Sequence, residues 1–154
     1  MKIMNHLKYR ISEAAKILGI SVHTLRMYEK ESLIIPYKKS SSQRLYSDKD
    51  LDRIRCIRDA INKNKISIEG IKRLLSMIPC WAIINCPTEH AMKCLAIKES
   101  IKPCWEIKHE NDVCSNLDCR ECTVYNDYTN CDSIKSKIVE ITFTRLSNKE
   151  EVTV

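Results

Sequence analysis

The stretch ISEAAKILGISVHTLRMYEK, residues 11–30, decides the fold of the first half of this chain. Ser12 and Ser21 each stand before a run with helical periodicity, and serine is a preferred residue for capping the N-terminus of a helix. Gly19 can end the first run, because glycine adopts the left-handed conformation without steric cost. Only Gly19 and Ile20 separate the two runs. The stretch therefore predicts a tight helix-turn-helix.

A hairpin and two further helices are predicted after this motif. Residues 33–39 (LIIPYKK) and 44–46 (RLY) are expected to be extended, and the turn SSSQ at residues 40–43 joins them into a wing. Ser47 and Ser67 are expected to cap the third and fourth helices, in which apolar residues recur at helical spacing. The predicted fold class is mainly α, with a winged helix-turn-helix domain.

Charge and cysteine content both change near residue 78. Residues 1–78 hold 17 Lys and Arg against 8 Asp and Glu, whereas residues 79–154 hold 9 against 12. Of the nine cysteines, Cys56 alone lies in the first half, and eight lie between Cys80 and Cys131. We therefore predict a basic DNA-binding domain in residues 1–78 and a small cysteine-rich domain in residues 79–154, for metal binding, sensing and dimerisation.

The expected cellular compartment follows from the lack of a membrane-spanning run and of a signal peptide in this sequence. No run of about 18 uncharged apolar residues is present, and residues 1–8 (MKIMNHLK) lack the apolar core of a signal peptide. We expect a cytoplasmic protein with no membrane partner. A reducing compartment and an odd number of cysteines disfavour a disulfide framework, so metal or redox chemistry is the natural interpretation of the cysteines.

The second helix of the motif carries side chains suited to reading DNA. An α-helix fits the major groove, which is roughly 12 Å wide, and side chains near its N-terminal end reach the base edges. His23, Thr24, Arg26 and Tyr28 can all make such contacts, and a buried helix would replace several of them with Leu or Ala. The basic wing would lie along the flanking phosphates, which positions the protein without reading sequence.

Five blocks of this sequence resemble the MerR (mercury-resistance regulator) family of transcriptional regulators. They are YRISEAA (9–15), TLRMYE (24–29), LIIP (33–36), QRLY (43–46) and ISIEGIKRLL (66–75), in the usual order and spacing. The resemblance covers about half of the chain. It implies a sequence-specific regulator that binds double-stranded promoter DNA as a homodimer and acts indirectly on RNA polymerase.

The resemblance also implies which residues contact DNA. Thr24, Arg26, Tyr28 and Lys30 match the recognition-helix contacts, and Arg44 and Tyr46 match wing contacts to the backbone. Packing between helix and wing is the alternative interpretation of the two tyrosines. With the basic wing residue included, the predicted DNA contacts are Thr24, Arg26, Tyr28, Lys30, Lys38, Arg44 and Tyr46.

The sequence departs from the family pattern in three places. Ser32 stands where the family often has glycine, and the wing turn of residues 40–42 lacks the common glycine. Most members continue into a long helix that pairs antiparallel with its twin, but Pro79 and the cysteines leave no comparable apolar stripe here. We expect a dimer interface built instead from residues 88–102, which fit a helix with Thr88 as its cap. Residues 134–146 fit either a strand or a helix.

The densest cysteine group has the spacing Cys114-x4-Cys119-x2-Cys122. Two thiolates with two residues between them can bind one metal ion or one edge of a cluster. The x4 and x2 spacings coincide with those between the first three ligands of plant-type [2Fe–2S] ferredoxins. The fourth ligand of those ferredoxins lies further along the chain than Cys131 does here. Thiolates suit zinc or iron–sulfur equally well, and His109 could replace one cysteine. The predicted metal ligands are Cys104, Cys114, Cys119, Cys122 and Cys131.

A short internal repeat lies in the same half. PCWAI at residues 79–83 recurs as PCWEI at residues 103–107, and each tryptophan of the chain directly follows a cysteine of this repeat. The repeat indicates either a duplication or two matching walls of a metal site.

These observations predict a transcriptional regulator gated by an iron–sulfur cluster, by redox state or by a metal bound to the cysteines. The alternative is a DNA-binding protein without an effector, whose cysteines form a structural zinc site. An enzyme is disfavoured, because no strand-then-helix pattern surrounds the Cys-x-x-Cys of residues 119–122, as a thiol oxidoreductase requires. Redox-sensing members of the family hold a [2Fe–2S] cluster on four clustered cysteines, in a similar place but with another spacing.

Overall fold

The computed structural model describes residues 7–110, 112–127 and 133–150, and the chain in it is mainly helical. The chain divides into two compact units, residues 1–72 and 73–154. The elements follow in the order β1 (Leu7–Arg10), α1 (Ile11–Leu18), α2 (Val22–Lys30), β2 (Tyr37–Lys38), β3 (Arg44–Ser47), α3 (Asp48–Asn62), α4 (Ile68–Ser76), α5 (Cys80–Ile83), α6 (Thr88–Lys93), α7 (Leu95–Lys98), a 3₁₀ turn (Cys104–Glu106), α8 (Thr123–Asn126) and α9 (Ser133–Glu150). The functional boundary predicted after residue 78 stays a prediction.

The sheet of the first unit has three antiparallel strands in the order β1-β3-β2. The hairpin β2–β3 lies where the sequence predicted it, with Tyr37 opposite Leu45. The strand β1 was not predicted, and it adds to the other edge of β3 with Tyr9 opposite Tyr46. This pairing makes β3 the central strand, so its side chains are covered more completely than those of a hairpin arm would be.

The first helix begins earlier than predicted. Ser12 was expected to cap it, but α1 starts at Ile11 and its N-cap residue is Arg10. The carboxylate of Glu13 accepts a hydrogen bond from the backbone N–H of Arg10 at 2.7 Å, so an acidic side chain from the first turn satisfies the helix start. Ser12 therefore lies inside the first turn, where it is exposed.

The remaining predicted helix ends in the first unit are confirmed. Gly19 closes α1 with a φ of 62°, and the Ser21 hydroxyl accepts a hydrogen bond from the Thr24 N–H at 2.9 Å. The Ser47 hydroxyl accepts one from the Asp50 N–H at 3.2 Å, and the Ser67 hydroxyl accepts one from Gly70 at 3.0 Å. These bonds satisfy N–H groups that a helix start leaves without intrahelical partners.

Serine adopts the left-handed conformation at both positions where glycine was expected. Ser32 has a φ of 58° after α2, and Ser42 has a φ of 61° in the hairpin turn. A non-glycine residue pays a steric cost in this region of φ. At both positions serine therefore adopts a conformation that glycine would adopt without this cost.

The core of the first unit is formed by α1, α2, α3 and the covered face of the sheet. Leu25, Leu33 and Ile54 have no exposed surface, and Leu51 and Ile57 of the predicted helical stripe are also buried. The helices thus bury the faces that their apolar periodicity indicated.

The second unit consists of short helices joined by loops and one long helix. A single helix was expected in residues 88–102, but Cys94 interrupts it with ψ at 126° between α6 and α7. The tail that fitted strand or helix is helical in α9. On α9, Ile134 is buried while Val139, Phe143 and Leu146 are exposed. Among the described helices, none is both long and apolar enough to cross a bilayer.

Candidate nucleic-acid interface and cysteine cavity

The second helix of the motif presents basic side chains to solvent. Arg26 and Lys30 are exposed and lie four residues apart on α2, and Thr24 is half-buried one turn from the helix start. The Thr24 hydroxyl lies 2.9 Å from the Ser21 hydroxyl, so the cap also orients this side chain. The exposed face has hydrogen-bond donors and positive charge where a major groove has acceptors and phosphates.

Two of the predicted DNA contacts are buried instead. Tyr46 has no exposed surface, and its hydroxyl donates a hydrogen bond to the Glu29 carboxylate. Tyr28 is also buried, with 5% of its surface exposed. The prediction that Tyr46 contacts the DNA backbone is corrected, because a side chain enclosed between β1, β3 and α2 cannot reach a phosphate. Packing between helix and wing, the alternative interpretation of these tyrosines, therefore describes both Tyr28 and Tyr46.

The carboxylate of Glu29 joins α2 to the hairpin. It is 9% exposed and accepts a hydrogen bond from Arg44 Nε at 2.6 Å, while its other oxygen accepts the Tyr46 hydroxyl. Burial and the nearby Glu29 charge both raise the pKa of Tyr46, so this hydroxyl stays a donor. Lys38, on β2 opposite Arg44, is exposed. Glu29 thereby sets the position of the hairpin relative to α2, which sequence reasoning did not foresee.

Replacement of Glu29 by glutamine tests this connection. Glu29→Gln removes the negative charge that pairs with Arg44. It leaves Arg44 and the Tyr46 hydroxyl with a neutral amide oxygen, which is a weaker acceptor. We expect the free energy of unfolding of the full chain to fall by about 1–3 kcal/mol in urea titrations. The matched control is Asp52→Asn, since Asp52 pairs with Arg55 at the surface. That change should cost less than about 1 kcal/mol, and equal losses in the two variants would contradict the role given to Glu29.

The second unit holds a cavity lined by seven of the eight cysteines of that half. Alongside them stand His109 and several apolar side chains, among them both tryptophans and Tyr125. Trp105 and Tyr125 pack edge to face at 5.2 Å, which forms one wall. We call this feature the cysteine cavity. Its cysteines are Cys80, Cys86, Cys94, Cys104, Cys114, Cys119 and Cys122.

Four of the five predicted metal ligands meet in this cavity, namely Cys104, Cys114, Cys119 and Cys122. The fifth, Cys131, lies outside the described residues. Sequence reasoning missed the other three cavity cysteines, Cys80, Cys86 and Cys94. For Cys80 the signal was the Pro-Cys-Trp repeat, whereas Cys86 and Cys94 had no spacing that connected them to the dense group.

The two repeats bring their cysteines into direct contact. The thiol of Cys104 donates a hydrogen bond to the sulfur of Cys80, and this bond lowers the pKa of Cys80 to about 7. The same bond, together with burial, raises the pKa of Cys104 far above its ordinary value, and the charges of Cys119 and Cys122 raise it further. Each copy of the repeat thus contributes a cysteine and a tryptophan to the cavity, and its interpretation as two walls of a metal site stays a prediction.

Burial favours the protonated form of three further thiols that line the cavity. It raises the pKa of Cys114 to about 12, and it also raises the pKa values of Cys86 and Cys119. Several thiolates in one apolar cavity repel one another unless a positive charge lies among them. A bound metal ion supplies that charge and deprotonates its thiol ligands. The donor set therefore fits a thiophilic metal, and none of the described cysteines is engaged in a disulfide.

A polar cluster lies at the edge of the same cavity. Asp112 Oδ2 accepts a hydrogen bond from His109 Nδ1 at 2.8 Å and lies 3.8 Å from Cys94 Sγ. The Cys114 N–H donates to the other oxygen of Asp112 at 2.9 Å. His109 Nε2 donates to the Cys104 carbonyl oxygen at 2.9 Å. Of these residues, His109 was anticipated as a replacement ligand and Asp112 was not.

Comparison with known proteins gives matches that include several transcriptional regulators. A family model described as "MerR HTH family regulatory protein" matches residues 9–78. A probable heavy metal-dependent transcriptional regulator of Haemophilus influenzae is 33% identical over 123 residues, which covers 75% of this chain and 95% of that protein. The transcriptional regulator ZntR of Escherichia coli is 37% identical over 70 residues, covering 45% of this chain and 49% of ZntR.

A third relative gives a coverage similar to that of ZntR. The transcriptional regulator HmrR of Sinorhizobium medicae is 41% identical over 68 residues, which covers 44% of this chain and 46% of HmrR. The chain thus spans about half the length of ZntR and HmrR and nearly all of the Haemophilus protein. No solved structure matches the chain significantly.

Proposed function

The chain belongs to the MerR family of helix-turn-helix transcriptional regulators, and we propose that α2 reads a specific promoter sequence under the control of a metal bound in the cysteine cavity. Its relatives are DNA-binding regulators and not enzymes. The observation that carries the proposal is the convergence of seven cysteines on one cavity, in a chain whose relatives include a heavy metal-dependent regulator.

The DNA contacts are assigned to α2 and to the hairpin β2–β3. In this proposal, α2 enters the major groove, and Thr24, Arg26 and Lys30 reach base edges or adjacent phosphates. The hairpin is the wing, from which Lys38 meets the backbone. Arg44 is one-third exposed beside Glu29, so it reaches a phosphate with the side of the guanidinium that the ion pair leaves open. Tyr28 supports the helix from beneath.

The metal site is assigned first to a set of four sulfurs, which we call the thiolate set. It comprises Cys80 and Cys104 and the Cys-x-x-Cys pair Cys119 and Cys122, which all line the cysteine cavity. No three of these sulfurs lie within 4.8 Å of one another in the described residues, so a bound ion would have to draw them together. Four thiolates suit zinc or an iron–sulfur cluster. The name of the Haemophilus relative refers to a heavy metal, so we rank a bound metal ion before a cluster. Either ligand would supply the cation that buried thiolates require.

Homodimerisation is assigned to α9 in place of residues 88–102, which form two short helices. Val139, Phe143 and Leu146 are exposed and lie within about 60° of one another around a helix of 3.6 residues per turn. An exposed apolar stripe of this kind suits pairing with a second copy. Members of the family bind promoter DNA as dimers, and a paired reader would place RNA polymerase under indirect control.

Replacement of Arg26 tests the reading helix. A binding site is first selected from random duplex DNA with the full chain. We expect Arg26→Ala to weaken binding to this site by about 1–3 kcal/mol in fluorescence anisotropy, because a lost base contact costs that much. Lys63→Ala removes an equal charge from the end of α3, where no contact is proposed, and it should change the affinity far less. Equal affinities of wild type and Arg26→Ala would remove Arg26 from the interface.

Metal control is tested by measuring the same affinity with and without bound metal. We expect zinc-loaded and metal-free protein to differ at least about fivefold in affinity for the selected site, which is the usual lower range of allosteric coupling. Cys119→Ser/Cys122→Ser should abolish this difference. Cys56→Ser, outside the cavity, should retain it. Identical affinities of metal-bound and metal-free wild type would overturn metal gating and favour the effector-free protein with structural zinc.

The dimer helix is tested by a charge placed in its apolar stripe. We expect Phe143→Glu to give the mass of a monomer in analytical ultracentrifugation at micromolar concentration, because the charge would be buried between two copies. Thr144→Glu, on the same helix but outside the stripe, should leave the dimer intact. A Phe143→Glu variant that sediments as the wild-type dimer would exclude this face of α9 as the interface.

A further inference from the structure

Three different donor atoms meet beside the thiolate set without belonging to it. Cys94 Sγ, a ring nitrogen of His109 and a carboxylate oxygen of Asp112 all lie within 4.8 Å of one another. We call these residues the mixed set. None of the three is highly exposed, and the side chains of His109 and Asp112 expose 8% and 15% of their surfaces. His109 and Asp112 lie three residues apart in one loop, whereas Cys94 stands between α6 and α7, so tertiary folding brings Cys94 to the other two.

The separations within the mixed set are close to those of a tetrahedral metal centre. Bond lengths of 2.0–2.3 Å and tetrahedral angles place neighbouring ligand atoms about 3.3–3.6 Å apart. Asp112 Oδ2 lies 2.8 Å from His109 Nδ1 and 3.8 Å from Cys94 Sγ. Shifts of about half an ångström would therefore admit an ion of this kind.

The surroundings of the mixed set resemble those of bound metal ligands. A metal-bound histidine usually donates its second N–H to a carbonyl or carboxylate, and His109 Nε2 donates to the Cys104 carbonyl oxygen. A metal-bound carboxylate is usually held by a further hydrogen bond, and the Cys114 N–H holds Asp112 at its other oxygen. Cys86 lines the same cavity.

We propose that the cysteine cavity contains two metal sites: the thiolate set, and a second site in which Cys94, His109 and Asp112 bind a borderline divalent cation such as zinc. This inference rests on the proposed function in taking the cavity as a metal site. The two sets differ in chemistry, since thiolates alone favour soft ions or clusters, whereas imidazole and carboxylate favour zinc and similar ions.

One hydrogen bond connects the two sites. His109 belongs to the second site through Nδ1, and through Nε2 it holds the backbone of Cys104, a residue of the thiolate set. A cation on Nδ1 makes the Nε2 proton a stronger donor to this carbonyl. Occupation of the second site thus stiffens the loop that carries Cys104, so filling one site favours filling of the other.

The experiment counts metal equivalents in the full-length protein. Protein stripped of metal under anaerobic conditions is titrated with Co²⁺, whose visible bands and sulfur-to-metal charge-transfer absorption report the ligands, and then with Zn²⁺ in competition. We expect two equivalents for the wild type. Asp112→Asn and Cys94→Ser should each bind one equivalent and keep most of the charge-transfer absorption, because the thiolate set remains.

Complementary variants identify the other equivalent. Cys119→Ser/Cys122→Ser should also lose one equivalent, together with most of the charge-transfer absorption. Cys56→Ser, outside the cavity, should bind two equivalents as the wild type does. Circular dichroism of each variant shows whether it folds. Asp112→Asn preserves the shape of the side chain, so it tests the second site even where a cysteine variant loses structure.

The outcomes separate this inference from the proposed function. One equivalent in the wild type, or two in both Asp112→Asn and Cys94→Ser, overturns the second site whatever the effect of metal on DNA binding. Two equivalents with the expected pattern of losses support it, even where DNA affinity does not respond to metal. In that last case the metal-gating proposal fails and the two-site assignment stands.

Discussion

Seven thiols face one cavity in the second unit. The negative charge of their ionised forms must be balanced by a cation if several of them are to be thiolates at once. Buried thiolates repel one another, and buried neutral thiols contribute little more than small apolar groups. The apolar core around them is small, with Ile78, Ala96, Val124 and Tyr125 among its buried residues. Binding of zinc contributes about 10–16 kcal/mol in small zinc-dependent domains. A metal in the cavity would therefore supply much of the free energy that holds these short helices together.

The first unit has a different source of stability. Its helices bury continuous apolar faces, and the Glu29 carboxylate binds both Arg44 and Tyr46 across the junction of α2 and β3. Burial of this carboxylate costs free energy, and the cost is offset only when both Arg44 and Tyr46 donate hydrogen bonds to it. The reading helix and the hairpin are consequently held in one arrangement, which suits a surface that must match the spacing of a groove and its phosphates.

Much of the first unit was predictable because its signals are local. A cap such as Ser21 or Ser47 acts on an N–H three residues away, and Gly19 acts through its own φ. The strand β1 escaped prediction since its partner lies about 37 residues further along the chain. The burial of Tyr46 depends on another long-range contact, since its hydroxyl meets Glu29 of α2, 17 residues earlier in the chain. For Tyr46 the family resemblance suggested a DNA contact, and the packing of this chain corrected it.

The amino-acid sequence alone determined the family, the helix-turn-helix, the basic character of residues 1–78 and the thiol-rich character of the remainder. These properties reside in residue types and in short spacings. Only the tertiary structure decided that Cys80, Cys86 and Cys94 join the dense cysteine group, and that Asp112 meets His109 and Cys94. Cys80, Cys86 and Cys94 lie in segments remote along the chain from the dense group and from the loop of His109 and Asp112, so their meeting depends on how the chain folds in space.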